Sequence, residues 1–349
     1  MLFKKVTGMT ESSSASTLER KKRNWLAGFL IRLVKEKPLG AVGGFITLAL
    51  LVTGIFADFL APYGMNETRV GGLMAAPSAE FWFGTDNLGR DILSRVIYGA
   101  RISMIIGLGA TSLGTIVSMT IGMLSGYIGG KFDLIVQRIV DGILCLPGLV
   151  LLMVLMSLVG PGMVSLILVM GIHGGIGGSR FPRSVVISVK ENAYLEAARA
   201  IGSSTKRILL RDILPNITAP IIISFSLSVP GVILGEAGLS FLGFGIPPPA
   251  PSWGGMLSGS GRQYMFRAPW MVVFPGLALS IVVFGINMFG DAVRDILDPR
   301  LRGGIGRFGL IRRMRPIEID ESDADAVAAA EESGPDTNDM NRIRENRSD

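Results

Sequence analysis

Long stretches without a charged residue constrain this chain more than any other feature. Twenty uncharged residues separate Lys37 from Asp58, 29 separate Arg101 from Lys131, and 38 separate Asp141 from Arg180. A bilayer core takes about 20 apolar residues as one helix. The first stretch predicts a span over Pro38–Ala57, the second one over Ile102–Gly126. The third is too long for a single helix and suits a hairpin of two, 142–160 and 163–179, broken at Gly160-Pro161-Gly162, a strong turn signal. Ile217–Glu236 and Trp270–Gly290 complete six predicted spans. The expected fold class is therefore all-α, a polytopic membrane protein with six transmembrane helices.

Composition alone hides this. The apolar share, 49% of 349 residues, is that of an ordinary soluble protein. Charge is unevenly placed: residues 1–37 hold 12 charged side chains and 291–349 hold 24, leaving 26 for the 253 residues between. Disorder is excluded in that middle, because disordered chains are poor in apolar residues and rich in charge. A single Cys (Cys145) and a single His (His173) exclude a disulfide scaffold and a standard zinc site. No early apolar run is followed by a small-residue cleavage site, so no secretory leader is expected.

Lys and Arg set the expected orientation. With the N-terminus inside, cytoplasmic segments carry 28 of these residues and outside segments 6, so both termini are expected in the cytoplasm. Trp25, Leu26, Phe29, Leu30, Leu33 and Val34 share one helical face, with Arg20–Arg23, Arg32, Lys35 and Lys37 around it. That pattern predicts a helix lying in the headgroup plane within a cytoplasmic segment, 1–38. Residues 39–100 would hold the first span and an extracytoplasmic segment, 101–291 the transmembrane core, and 292–349 a largely disordered acidic tail.

Within the spans, Ala110, Gly114, Ser118, Gly122 and Gly126 recur every four residues. Such a small-residue ladder admits a close helix neighbour, either inside this chain or in another subunit; both readings stay open. Pro147, Pro220 and Pro230 predict kinks. His173 is the one titratable group well inside a span, and a neutral imidazole bonded to a neighbouring helix is the expected state.

No set of side chains here performs bond chemistry. Ser125-Gly-Tyr-Ile-Gly-Gly-Lys131-Phe132 lacks the first Gly and final Ser/Thr of a phosphate-binding loop, and Gly171–Gly178 follows no strand. Catalytic and metal-binding residues are expected to be absent. Gradient-driven transport normally uses several midplane charges, which are missing here. A secondary transporter and a purely structural subunit are the competing classes. Energy for any transport would have to come from another subunit.

The loop at 180–215 offers a way in for that energy. Asn192 is placed to cap a helix through Ile201, and Gly202 to end it in the left-handed conformation. Ser203 or Ser204 would cap a second short helix, closed by Pro215. Glu196-Ala197-Ala198, Gly202 and Ile213-Leu214-Pro215 resemble the EAA signature of ABC importer membrane subunits. In that family the loop is the coupling helix that docks into the ATPase. The shift caused by Asp212 ahead of Ile213 is familiar among peptide-type members. Phe83-Gly-Thr-Asp86, Leu88-Gly-Arg-Asp91, Ser94-Arg95, Gly99-Ala-Arg101, Pro251-Ser-Trp-Gly254, Ala268-Pro-Trp270, Phe274-Pro-Gly276, Gly290-Asp291, Arg294-Asp295 and Leu297-Asp-Pro-Arg-Leu301 resemble the dipeptide, oligopeptide and nickel permeases, C-type member of the pair. Gly174 to Gly178 departs from the aromatic and proline usual there.

The resemblance covers about residues 25–302. It implies a type I ABC importer permease fold in the plasma membrane (bacterial inner membrane) and ATP-driven import of di- or oligopeptides by alternating access. Nickel chelates or glycosides are the alternative cargo. Implied partners are a second homologous permease, two ABC ATPases that bind ATP and Mg, an extracytoplasmic solute-binding protein and the bilayer, with no nucleic acid. No cofactor is expected in this chain. Asp86, Arg90 and Asp91 are expected mainly to cap and pair a short helix across the outer mouth. Glu236 is the candidate for a gate or for docking the binding protein, if it does not simply snorkel.

Overall fold

A computed structural model describes residues 25–297, with side chains from Phe29 onward. The basic Arg20–Arg23 flank and the acidic tail beyond Leu297 lie outside the described residues. Among the described residues every regular element is helical, apart from one isolated bridge between Thr85 and Asp91.

Helix α1 (Trp25–Glu36) gives way at Lys37 to α2 (Pro38–Ile55), followed by the short α3 (Ala57–Leu60). Pro38 opens α2, and it suits a helix start because the amide it lacks has no partner in a first turn. Leu33 of α1 is buried against Ala292 and Ile296, while Leu30 and Val34 stay exposed. Helix α4 (Ile92–Ile128) is the pillar of the bundle, with 37 residues. At about 1.5 Å per residue it reaches roughly 55 Å, well beyond a hydrocarbon core of about 30 Å. Helices α5 (Gly130–Leu144) and α6 (Gly148–Val159) follow, then α7 (Met163–Gly178) and α8 (Arg180–Lys190). Beyond a projection described below, α11 (Leu214–Phe241), α12 (Trp253–Leu257), α13 (Gly259–Gln263) and α14 (Trp270–Leu297) complete the described chain. Leu50, Val229, Ile233, Trp253 and Ile286 form one core, joining α2, α11, α12 and α14. Ile106, Met156, Leu166, Met170 and Leu239 form a second, between α4, α6, α7 and α11.

Among the described residues, five helical stretches are long and apolar enough to cross a membrane, and the bent pair α5 plus α6 brings the number to six if the two count as one broken span. The predicted span over 142–160 is corrected in extent: residues 142–144 belong to α5, and the helix begins only after the break expected at Pro147. Its helix holds only 12 residues, and α5 meets it at 89° across Cys145–Pro147. Pro147 has no amide to continue a ladder, so the chain turns there. The boundary drawn between residues 100 and 101 falls inside α4. That helix starts at Ile92 because the Asp91 carboxylate caps it, accepting the Ser94 amide at 2.7 Å. A first-turn amide has no partner within the helix, and a short acidic side chain supplies one. The acidic-tail boundary at 292 is also too early. Ala292, Val293 and Ile296 are buried, and Lys37 pairs with Asp295 at 2.5 Å, so α14 runs on to Leu297.

The small-residue ladder of α4 packs within the chain. A Cβ on Gly122 would stand 2.5 Å from the Ser179 carbonyl, one on Gly126 2.9 Å from that of Arg183, and one on Gly114 3.1 Å from that of Gly171. Ala110 is buried and Ser118 half-buried. His173 departs from expectation. Its Nδ1 is buried without a hydrogen-bond partner, and the chain facing its Nε2 presents Gly148, which has no side chain to bond it.

Candidate functional site

Two polar regions cap the bundle at opposite ends. At one end, α8 is followed by α9 (Ala193–Ala200), α10 (Thr205–Arg207) and a wide π-type turn at Ile208–Ile213 that feeds α11. Asn192 occupies the N-cap position of α9 with extended backbone, but its side chain turns back and donates to the Val189 carbonyl at 2.8 Å. Gly202 closes α9 with φ +79°. Its amide bonds to Arg199, and the Ser203 amide reaches the Ala198 carbonyl at 3.0 Å. This is a left-handed closure that a side chain resists. Of the two serines proposed to cap the second helix, Ser204 does so, accepting the Arg207 amide at 3.4 Å.

Pro215 does not close that helix, contrary to the sequence reading. It sits in the first turn of α11, where a missing amide is tolerated. The wide turn leaves carbonyls over, and side chains take them. Asn216 donates to Asp212 at 2.6 Å and Thr218 to Leu214 at 2.8 Å.

One face of the projection is locked down. Leu195 is fully buried in a cluster with Val186, Ile208, Leu209, Ile213, Ile217 and Met123, and Ala198 packs against it. Arg199 lies over the Tyr127 ring at 5.3 Å, Lys190 donates to the Tyr127 carbonyl at 2.7 Å, and Asn216 donates to the Tyr194 hydroxyl at 3.1 Å. The other face is open: Glu196, Ala197, Ala200 and Gly202 are exposed, and Ile201 is 83% exposed. Ile213 is buried, Leu214 half-buried and Pro215 exposed. Beneath, α5 is tied to α8. Asp133 accepts from Arg183 at 2.6 and 2.5 Å and from the Ser125 hydroxyl, and Arg180 pairs with Asp141.

The mouth at the other end, built around Asp86 and Asp91, is organised oppositely. Asp86 is 5% exposed and accepts the amides of Leu88 and Arg90 and the Arg90 guanidinium at 2.6 Å. Arg95, also buried, lies 3.8 Å from Asp86 and donates to the Met65 and Pro249 carbonyls. Asp91 takes both the amide and the hydroxyl of Ser94. Two indoles bolt this segment to the bundle: Trp253 donates to Val96 at 3.0 Å and Trp270 to Thr85 at 3.1 Å. The Trp253 ring fills the notch at Gly99, where a Cβ would meet it at 2.8 Å. Asp86, Arg90 and Arg95 also wall a cavity of about 310 Å³ shared with Ser240, Ser252 and Pro248.

Glu236 is neither at a helix end nor snorkelling, and through Ser240 it adjoins the cavity walled by the mouth residues. It is fully buried, because α11 continues to Phe241, and Ser240 donates to its Oε1 at 2.6 Å while Oε2 has no hydrogen-bond partner. Sequence reasoning missed Leu195, Tyr127, the Asp133–Arg183 pair and the roles of Trp253 and Gly99. The apolar position just before Glu196 was the one available signal for Leu195; the others depend on contacts distant in sequence.

With this geometry in hand, comparisons with known proteins converge. Residues 118–303 match the family described as binding-protein-dependent transport system inner membrane component. The dipeptide transport system permease protein of Alkalihalophilus pseudofirmus is 39% identical over 80% of this chain and 90% of its own length. The oligopeptide transport system permease protein of Bacillus subtilis is 38% identical, covering 77% and 88%. The glutathione transport system permease protein of Escherichia coli is 37% identical, covering 78% and 90%. Among solved structures, an inward-facing methionine ABC transporter, MetNI, gives a TM-score of 0.49 at 16% identity, over 59% of this chain and 98% of that one.

Proposed function

Because the chain belongs to the family of binding-protein-dependent transport system inner membrane components, we propose that it is the permease subunit through which an ABC importer carries di- or oligopeptides inward. It is a multi-pass membrane protein. The observation that carries the mechanism is the two-faced projection α9–Gly202. Its buried face binds it rigidly to the inner ends of α4, α8 and α11, while its open face presents Ala197, Ala200, Ile201 and Gly202 to a partner. A docked ATPase that closes on ATP would move this projection as one piece, and α11 and α4 with it. The membrane helices would then alternate between inward and outward openings.

In this reading both termini are cytoplasmic, supported by the Lys and Arg distribution. ATP and Mg are bound by two partner ATPases, not by this chain. A second, homologous permease supplies the other half of the path, and an extracytoplasmic binding protein delivers the cargo. Peptides are favoured over nickel chelates and glycosides by the names of the relatives.

Replacing Gly202 by Asp tests the coupling role. A Cβ there meets no atom within 4 Å, so the harm comes from the left-handed backbone and from a carboxylate added to the docking face. The expected result is normal membrane insertion with peptide uptake lost and ATP hydrolysis no longer stimulated by cargo. Normal uptake at normal ATPase turnover would refute the proposal. Affinity purification in mild detergent should also bring down P-loop ATPases and a sister permease.

A further inference from the structure

We propose that the shallow groove between α4, α7 and α11 is this chain's wall of the solute path, and that it meets the passing peptide with hydroxyls, bare backbone and a few apolar side chains but no charged group. The proposal rests on the permease reading and adds to it the residues that face the cargo.

The groove, about 110 Å³, is lined by Thr111, Thr115 and Ser118 of α4, Gly174 and Gly178 of α7, and Ser224 and Ser228 of α11, beside the apolar Met170, Phe181, Ile221 and Val232, with no charged side chain. It lies open on one side, since Gly174, Gly178 and Ser228 are exposed. The exposed residues Phe45 and Leu48 of α2, Leu158 of α6 and Val164 of α7 are apolar and suit lipid. Thr115 and Ser228 donate to the Thr111 and Ser224 carbonyls of their own helices, which leaves their oxygens as acceptors on a face that suits water or a polar solute better than hydrocarbon.

Two further observations point to a ligand. Thr111, only 4% exposed, lines the groove with its hydroxyl left without a hydrogen-bond partner. Buried hydroxyls in a resting structure are normally satisfied, and an unsatisfied one invites an explanation. The glycines of α7 also divide by face. A Cβ on Gly171 would stand 2.9 Å from Leu113, and one on Gly175 2.6 Å from Val117, so packing on α4 requires both. A Cβ on Gly174 would meet nothing within 4 Å. Glycine weakens a helix relative to alanine, and at Gly174 no neighbour demands it. What it preserves is clearance in the groove and an uncovered backbone.

A wall of neutral donors and acceptors binds the peptide groups common to all peptides and sets no fixed charge against either sign of side chain. The groove should therefore pass acidic and basic dipeptides alike.

The test uses the whole transporter in proteoliposomes, with Cys145→Ser as background and labelled acidic, neutral and basic dipeptides as probes. Gly174→Cys should transport normally until a bulky maleimide is attached, and uptake of all three probes should then fall about tenfold or more. Subunit co-purification and basal ATP hydrolysis should persist. Ser228→Cys provides the same test from α11 should Gly174→Cys assemble poorly. Thr111→Val should raise or preserve the melting temperature while slowing uptake, the reverse of a structural role. A thiol at both positions that stays unlabelled under turnover, because a partner helix covers it, overturns the proposal. So does full labelling with unchanged uptake. Absence of ATP-dependent peptide uptake by the unsubstituted complex would instead remove the permease reading, and the groove's role with it.

Discussion

The mouth around Asp86 and the projection around Leu195, at opposite ends of the bundle, are both rich in charged and small residues, yet they use them in opposite ways. At the mouth, Asp86 and Asp91 are 5% and 3% exposed, and their oxygens are taken by amides, hydroxyls and guanidinium groups of the same segment. At the projection, the polar and small residues stay exposed, and the apolar Ile201 stands 83% in solvent. Polar groups bonded inward hold a fold together. Apolar groups left outside, on a helix fixed from behind, await a partner.

Removing the Asp86 carboxylate attacks this contrast with the largest expected effect on stability. Asp86→Ala strands the buried Arg95 and the half-buried Arg90 without their shared anion. Breaking a buried pair from one side costs about 3–5 kcal/mol. The purified complex should melt markedly lower and accumulate poorly in membranes. A variant of normal stability that fails only in transport would mean the mouth contacts the cargo directly, and the contrast would collapse.

Leu195→Ala comes next. Leu195 is fully buried, and a buried leucine cut to alanine costs about 2–5 kcal/mol, here taken from the cluster that holds α9. Limited proteolysis should nick the projection between Lys190 and Arg211 while the mouth stays protected, and uptake should be lost together with the ATPases. Ile201→Arg then separates docking from folding. An exposed position tolerates substitution within about 0.5 kcal/mol, so the melting temperature should hold while ATPase co-purification drops. If Ile201→Arg keeps its ATPases, the open face lies elsewhere on the projection.

Membrane architecture is legible in the sequence because hydrocarbon imposes a length and a charge rule on any helix that crosses it. The rule counts residues and ignores direction, so the right-angle bend between α5 and α6 is invisible to it, although Pro147 marks its position. The ends of α4 and α11 escape it for a related reason. Charged residues look like boundaries, but Arg95 and Glu236 are buried inside helices, Arg95 by partners far away in sequence. The projection around α9 is readable because its signals are local: Gly202 ends a helix whatever surrounds it. Which side of that helix is anchored depends on Met123, Val186 and Ile217, which no local pattern connects to Leu195.

The smallest expected effect belongs to Asp58, at the mouth end of the bundle, and it marks where the mouth's inward-bonded character fades out. Arg101 donates to the carbonyls of Gly54 and Ile55 at 2.8 and 3.3 Å, closing the end of α2, and pairs with Asp58 at 2.8 Å. The Arg101 guanidinium, helped by the Tyr98 hydroxyl, holds the exposed Asp58 carboxyl below its ordinary range. A carboxyl with a depressed pKa adds stability above its unfolded value and loses that stability as pH falls through its folded value. Asp58→Asn should therefore melt slightly below the parent at neutral pH, and the two should converge in acid below the usual carboxylate range. Salt should narrow the gap, since an exposed pair is screened. Arg101→Ala, which also uncaps α2, should cost more and should show a residual deficit in acid. Equal, pH-independent losses for both variants would place the contribution of Arg101 entirely in the helix end and remove Asp58 from the network.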